Sequence, residues 1–160
     1  MKKITYKTIL TLLIVCLFSC SNDDDNEQDC METNVTMNVN GESQSFQAIG
    51  RGIDLRENGY ELSLNLDRRS NDPFREQGIT IILPYKKNGE NIIEQFIYHQ
   101  YIDGISFDGD FLNGEFESNV ITNTSKCFSA TFSGVLNDGN QEVIITNGNL
   151  SYEYEEPFDD

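Results

Sequence analysis

The sequence predicts an all-β fold, an antiparallel β-sandwich or barrel. Three observations predict it. Apolar residues alternate with polar ones at period two, as where Tyr60, Leu62, Leu64 and Leu66 are separated by Glu61, Ser63 and Asn65. The alternating runs are short and rich in β-branched and aromatic residues, which suit a pleated, half-buried surface. Turn chemistry recurs between the runs, roughly every 8–12 residues, the spacing of sandwiches and barrels.

The elements follow in order. Val35, Met37 and Val39 alternate with Thr36 and Asn38, and Asn40-Gly41 then supplies a two-residue hairpin turn. The chain returns through 43–48, with Phe46 and Ala48 on one face. Residues 60–66 form the next strand. Residues 67–78, with Arg68, Arg69, Asn71, Asp72 and Pro73, read as a loop. The apolar, β-branched run 79–83 fits a central strand, ended by Pro84 and the turn Lys86-Lys87-Asn88-Gly89.

Residues 91–102 fit two readings. Ile92, Ile93, Phe96, Ile97 and Tyr101 make a helical stripe, so a short helix near 91–98 is one. The same residue types favour a strand. Beyond them, 105–111, 115–121, 127–136, 142–146 and 150–154 read as strands. The segments 137–140 and Asn147-Gly148 read as turns. No repeat of solenoid length is present.

The first 20 residues have a different character. Lys2, Lys3 and Lys7 give a positive start, residues 9–18 are apolar apart from Thr11, and Leu17-Phe18-Ser19-Cys20 closes the segment. This is the order of an export signal. Ten apolar residues are about half of the roughly 20 that span a bilayer as a helix. The last four residues resemble the lipobox of bacterial lipoproteins, with Cys20 as the lipidated thiol. Phe18 departs from that pattern, which has a smaller residue there. Cys16 is the poorer cleavage site because Val15 before it is not small. The resemblance implies a cut before Cys20 and a lipid anchor on it. Stable anchoring takes more than one acyl chain.

Residues 21–29 hold no apolar side chain and read as a disordered tether. Three consecutive aspartates, Asp23 to Asp25, make a poorer calcium cage than alternating ligands in a fixed loop. A serine and acids directly after the cysteine resemble the signal that sends lipoproteins of Bacteroidetes to the outer face of the cell. Val39-Asn40-Gly41, with the phenylalanine-rich segment 128–134 and Ile145-Thr146-Asn147-Gly148, is similar to small lipoproteins of that group. The resemblance implies an all-β domain and assigns no chemistry.

Removing residues 1–19 from 160 leaves 141, enough for one domain of ordinary size behind the tether. The removed segment takes three of 11 lysines and arginines and none of 27 acids, leaving 8 against 27, a net −19. Such a charge disfavours nucleic acid and anionic headgroups as partners. With Cys16 removed and Cys20 lipidated, Cys30 and Cys127 remain in an oxidising compartment. A Cys30–Cys127 disulfide is expected, the alternative being two unpaired thiols. Two cysteines and one histidine make no zinc site.

The candidate sites are few. His99 is the only histidine, and no G-x-S-x-G segment accompanies it, so packing beside Tyr98 and Tyr101 is preferred to catalysis. Asp103, Asp108 and Asp110 beside Gly104 and Gly109 could present carboxylates to calcium, but Asp-Gly is foremost turn chemistry. Tyr152 and Tyr154 could stack on a glycan, although such rows more often pack across strands. No catalytic residue, metal or cofactor is assigned.

The expected organisation is a signal peptide over 1–19 and a lipidated acidic tether over 20–32. A single β domain over 33–155 and an acidic tail over 156–160 follow. The expected function is a non-catalytic lipoprotein in the outer membrane, facing the cell exterior and binding a protein or glycan partner. The alternatives are a hydrolase using carboxylates or His99, and a structural envelope component.

Overall fold

The computed structural model describes residues 30–68 and 75–158. The expected signal peptide over 1–19, Cys20 and residues 21–29 of the expected tether lie outside the described residues. The strands are β1 Asn34–Val39, β2 Glu42–Arg56, β3 Gly59–Arg68, β4 Arg75–Pro84, β5 Gly89–Glu90, β6 Gln95–Ile102, β7 Ile105–Asn123, β8 Cys127–Asn137 and β9 Glu142–Glu153. Among the described residues there is no helix.

All pairings are antiparallel. The order β7-β6-β4-β3-β2-β1-β9-β8 closes through a β7–β8 pairing. Apart from the short β5, every strand pairs with its neighbours in sequence, and the last returns to the first. This is an up-and-down barrel of eight strands, and closure removes the sheet edges that an open meander would expose. The near half of β7 pairs with β6, from Ile102↔Ile105 to Tyr98↔Gly109. Past that point β6 ends, and β5 takes its place through Gly89↔Val120 and Glu90↔Asn119. Asn91 and Ser118 exchange hydrogen bonds beside it, and the Asn123 amide donates to the carbonyls of Pro84 and Lys87.

Period two decides what lies inside. Leu62, Leu64 and Leu66 of β3, Ile79, Ile81 and Leu83 of β4, and Phe128, Ala130 and Phe132 of β8 are all buried. An eight-stranded barrel is just wide enough for side chains to fill. Here they fill its middle. Phe96 packs 4.8 Å from Phe132 and 5.1 Å from Phe116, centroid to centroid.

Several expectations are corrected. The segment 91–98 is not helical: 91–94 is a connection and Phe96 and Tyr98 belong to β6. Its inward side chains obey period two once β4 offers a partner edge. Asn147-Gly148 does not end a strand. It sits inside β9, where Asn147 adopts a φ of 51° and the pairings with β1 and β8 both shift register. The same dipeptide chemistry that makes a hairpin here makes a bulge. At Gly148 a Cβ would run into the Phe132 ring and carbonyl, so glycine is required by close approach. The expected strands 105–111 and 115–121 are one strand, β7, with an irregularity between Phe111 and Phe116. The expected loop 67–78 is shorter, because Asp67 pairs with Gly78 and Arg68 with Gln77. The Asn40-Gly41 turn is as the sequence suggests, with φ of 51° and 85°.

The two ends of the barrel differ. At one end the chain enters through Cys30, bridged to Cys127 at the start of β8 with Cα atoms 5.9 Å apart. Glu32 is also held there, its carbonyl accepting from the Ser151 hydroxyl at 2.7 Å. The C-terminal segment closes this end. Phe158 packs 5.3 Å from Tyr154 and 5.7 Å from Tyr85. The Arg51 guanidinium lies 4.4 Å from the Tyr154 ring centroid and 4.2 Å from that of Phe158, and donates to the Glu156 carbonyl. Phe158, within the expected acidic tail, thus joins Tyr154 and Tyr85 in an aromatic plug.

Candidate functional site

At the opposite end the inward rows change character. The row Leu62, Leu64, Leu66 of β3 continues to Arg68. The row Leu83, Ile81, Ile79 of β4 continues to Gln77 and Arg75. Phe96 and Tyr98 of β6 are followed by Gln100, and Phe46 of β2 is preceded by Gln44 and Glu42. The period that fills the core with apolar residues thus lines one mouth with amides and guanidiniums. The resulting cavity is about 490 Å³, lined by Gln44, Arg68, Arg75, Gln77 and Gln100, with Glu42 and the apolar Val39 and Ile102 among its other walls. Ligand sites run from about 300 to 1,000 Å³.

The floor of the mouth is a hydrogen-bonded network. Arg68 Nη1 donates to Gln77 Oε1 at 2.8 Å, and Gln77 Nε2 donates to the Tyr98 hydroxyl at 2.7 Å and to Gln100 Oε1 at 3.2 Å. The Tyr98 hydroxyl donates to Gln100 Oε1 at 2.9 Å. Burial pushes the Tyr98 hydroxyl up to about 12, against smaller opposing effects from Gln77 and Arg68. It therefore stays neutral and holds two glutamines in fixed orientations. Gln44 breaks the pattern. It is only 7 % exposed, and its Oε1 is buried with no hydrogen-bond partner among the described residues. A buried amide left unpaired costs about 1–3 kcal/mol, so a group of this kind at a cavity calls for an explanation.

A larger hollow, about 650 Å³, lies on the outer wall over β7, β8 and β9, lined by Asn119, Thr131, Ser133 and Asn149 among others. It is open, and no cation is among its described lining residues, so the mouth is the better candidate.

The residues singled out in the sequence fall elsewhere. His99 stands on the outer wall, 43 % exposed at its side chain, with Nδ1 2.9 Å from Asp108 Oδ1. Asp103 occupies the β6–β7 turn and lies 3.6 Å from Arg75. Asp110 accepts from the backbone of Phe96 and Phe111. Among the described residues no three such ligands gather into a metal site. Tyr152 and Tyr154 meet edge to face at 5.0 Å, but Tyr154 is buried in the plug, so the pair offers no open stacking row. Burial also raises the Tyr154 hydroxyl well above the ordinary tyrosine range.

Sequence reasoning missed the mouth, since Arg68 and Arg75 read as loop residues and the three glutamines carried no motif. The signal that could have found them is the polar end of each alternating row. No protein-family model, curated protein or solved structure matches this chain.

Proposed function

We propose that this chain is a non-catalytic lipoprotein of the outer membrane. In this reading it is cut before Cys20, anchored by lipid there, faces the cell exterior, and binds a partner in the polar mouth of its barrel. A glycan end fits that mouth better than a protein surface does. The anchor rests on the resemblance of Leu17-Phe18-Ser19-Cys20 to a lipobox. The observation that carries the binding half is the separation of the two ends. The chain enters the barrel at Cys30, and Arg68, Arg75, Gln44, Gln77 and Gln100 line the other end. A tether from Cys20 to Cys30 reaches at most about 35 Å. It would hold the plugged end toward the membrane and the mouth away from it.

The filled interior argues against carriage of an apolar molecule, because Leu64, Ile81, Phe96, Leu136 and Leu150 leave no room along the axis. Two experiments test the proposal. Cys20→Ser should move the protein from the membrane fraction to the soluble fraction, and retention in the membrane would contradict the lipid anchor. Protease added to intact cells should digest the wild-type domain, and protection until lysis would contradict the outward orientation.

A further inference from the structure

We infer that the mouth binds an acidic monosaccharide unit, a ring carrying several hydroxyls and one carboxylate of the uronic acid kind. The inference names the ligand of the binding site proposed above and rests on that reading. Three observations carry it. The first is the Gln44 amide, which is buried at the cavity with no partner for its Oε1 among the described residues. It needs a hydrogen-bond donor, and a ligand hydroxyl supplies one. A hydroxyl also accepts, so it serves the amide in either orientation.

The second is the pair of guanidiniums. Arg68 gives Nη1 to Gln77, which leaves others of its five donors for a ligand. Arg75 lines the same cavity, with Asp103 against it at 3.6 Å. Guanidiniums suit a planar carboxylate, which they bind through paired donors. The third is what else faces the site. Glu42 is an acid on the same wall, and with Asp103 it disfavours a dianion such as a phosphate ester. It can accept from a further hydroxyl. Tyr98 is the aromatic at the floor, but its hydroxyl is engaged by Gln77 and Gln100, and no aromatic is among the described residues that line the cavity. The described residues thus offer the ligand hydrogen bonds and charge.

The test uses the full mature chain, labelled on its side-chain amides and followed by NMR. D-glucuronate, D-glucose and acetate are titrated separately. The expected result is a saturable shift of the Gln44, Gln77 and Gln100 amide signals with glucuronate. Affinity for glucose and for acetate should each be weaker by about tenfold or more, the worth of one good polar contact. Arg75→Gln and Gln44→Met, checked for native signal dispersion, should each weaken glucuronate by about tenfold. Equal affinity for glucose would overturn the carboxylate part, and equal affinity for acetate would overturn the hydroxyl part, with the mouth still a binding site. Silence of these three amides toward every compound would overturn the inference together with the binding reading.

Discussion

Cys30 and Cys127 are 97 residues apart in sequence, yet their Cα atoms lie 5.9 Å apart at the end of the barrel away from Arg68 and Arg75. The bridge fixes where the chain enters the domain, and so which end a tether would hold. It also closes a long loop in the unfolded chain. Cys30→Ser with Cys127→Ser should lower stability by about 2–5 kcal/mol, read from urea midpoints with and without reductant. A double variant as stable as the wild type, with reductant changing neither, would contradict this role.

The plug rests on Arg51. Its guanidinium lies against both the Tyr154 and the Phe158 ring, while Nη1 is buried with no hydrogen-bond partner among the described residues. Arg51→Ala should cost roughly 1–3 kcal/mol through lost ring contact and packing. Arg51→Met keeps the stem and removes the unpaired nitrogen, so it should cost less. Thermal melts of the two variants decide the order. A methionine variant as costly as the alanine one would mean that the guanidinium charge rather than packing holds the plug.

The core depends on close contact around Phe132. Phe96→Ala removes a fully buried ring that touches Phe116 and Phe132 and should cost about 3–5 kcal/mol. Gly148→Ala adds one methyl against the Phe132 ring and should still cost about 1–3 kcal/mol. Denaturant titration measures both. A neutral Gly148→Ala would show that the bulge in β9 relaxes freely.

Tyr98 makes stability depend on alkaline pH. Its folded pKa is about 12, raised by burial above the ordinary 10. The unfolded chain thus releases this proton first as pH rises. The stabilisation is fully present below pH 10 and is lost between about 10 and 12. Tyr154 acts in the same direction. Urea midpoints should fall over that window, and Tyr98→Phe should fall less steeply. Parallel profiles for the two proteins would refute the assignment.

Much of the barrel was legible because strand periodicity is local. Leu62, Leu64 and Leu66 point inward wherever the strand lies, so the core rows could be read from spacing alone. Closure could not, because it depends on β9 meeting β1, with Ser151 opposite Asn34. Asn147-Gly148 misled for a related reason. A residue pair that tolerates positive φ serves a turn or a bulge, and only the partner strands decide which. The mouth was hidden by the same non-locality. Gln44, Arg68, Gln77 and Gln100 come from four strands and meet only once the barrel has closed. Arg51 and Phe158 are likewise joined by the fold alone.

In the proposed binding mode a ligand enters at the end of the barrel opposite Cys30, the end that the proposed anchor would hold. It is tested most directly by a photo-crosslinking side chain placed at Glu42, beside the mouth, or at Leu55, exposed near the plugged end. Both are irradiated in living cells carrying the full-length protein. A discrete adduct that free D-glucuronate suppresses is expected from position 42, and none that it suppresses from position 55. An adduct suppressed by D-glucuronate at position 55 and none at position 42 would contradict it.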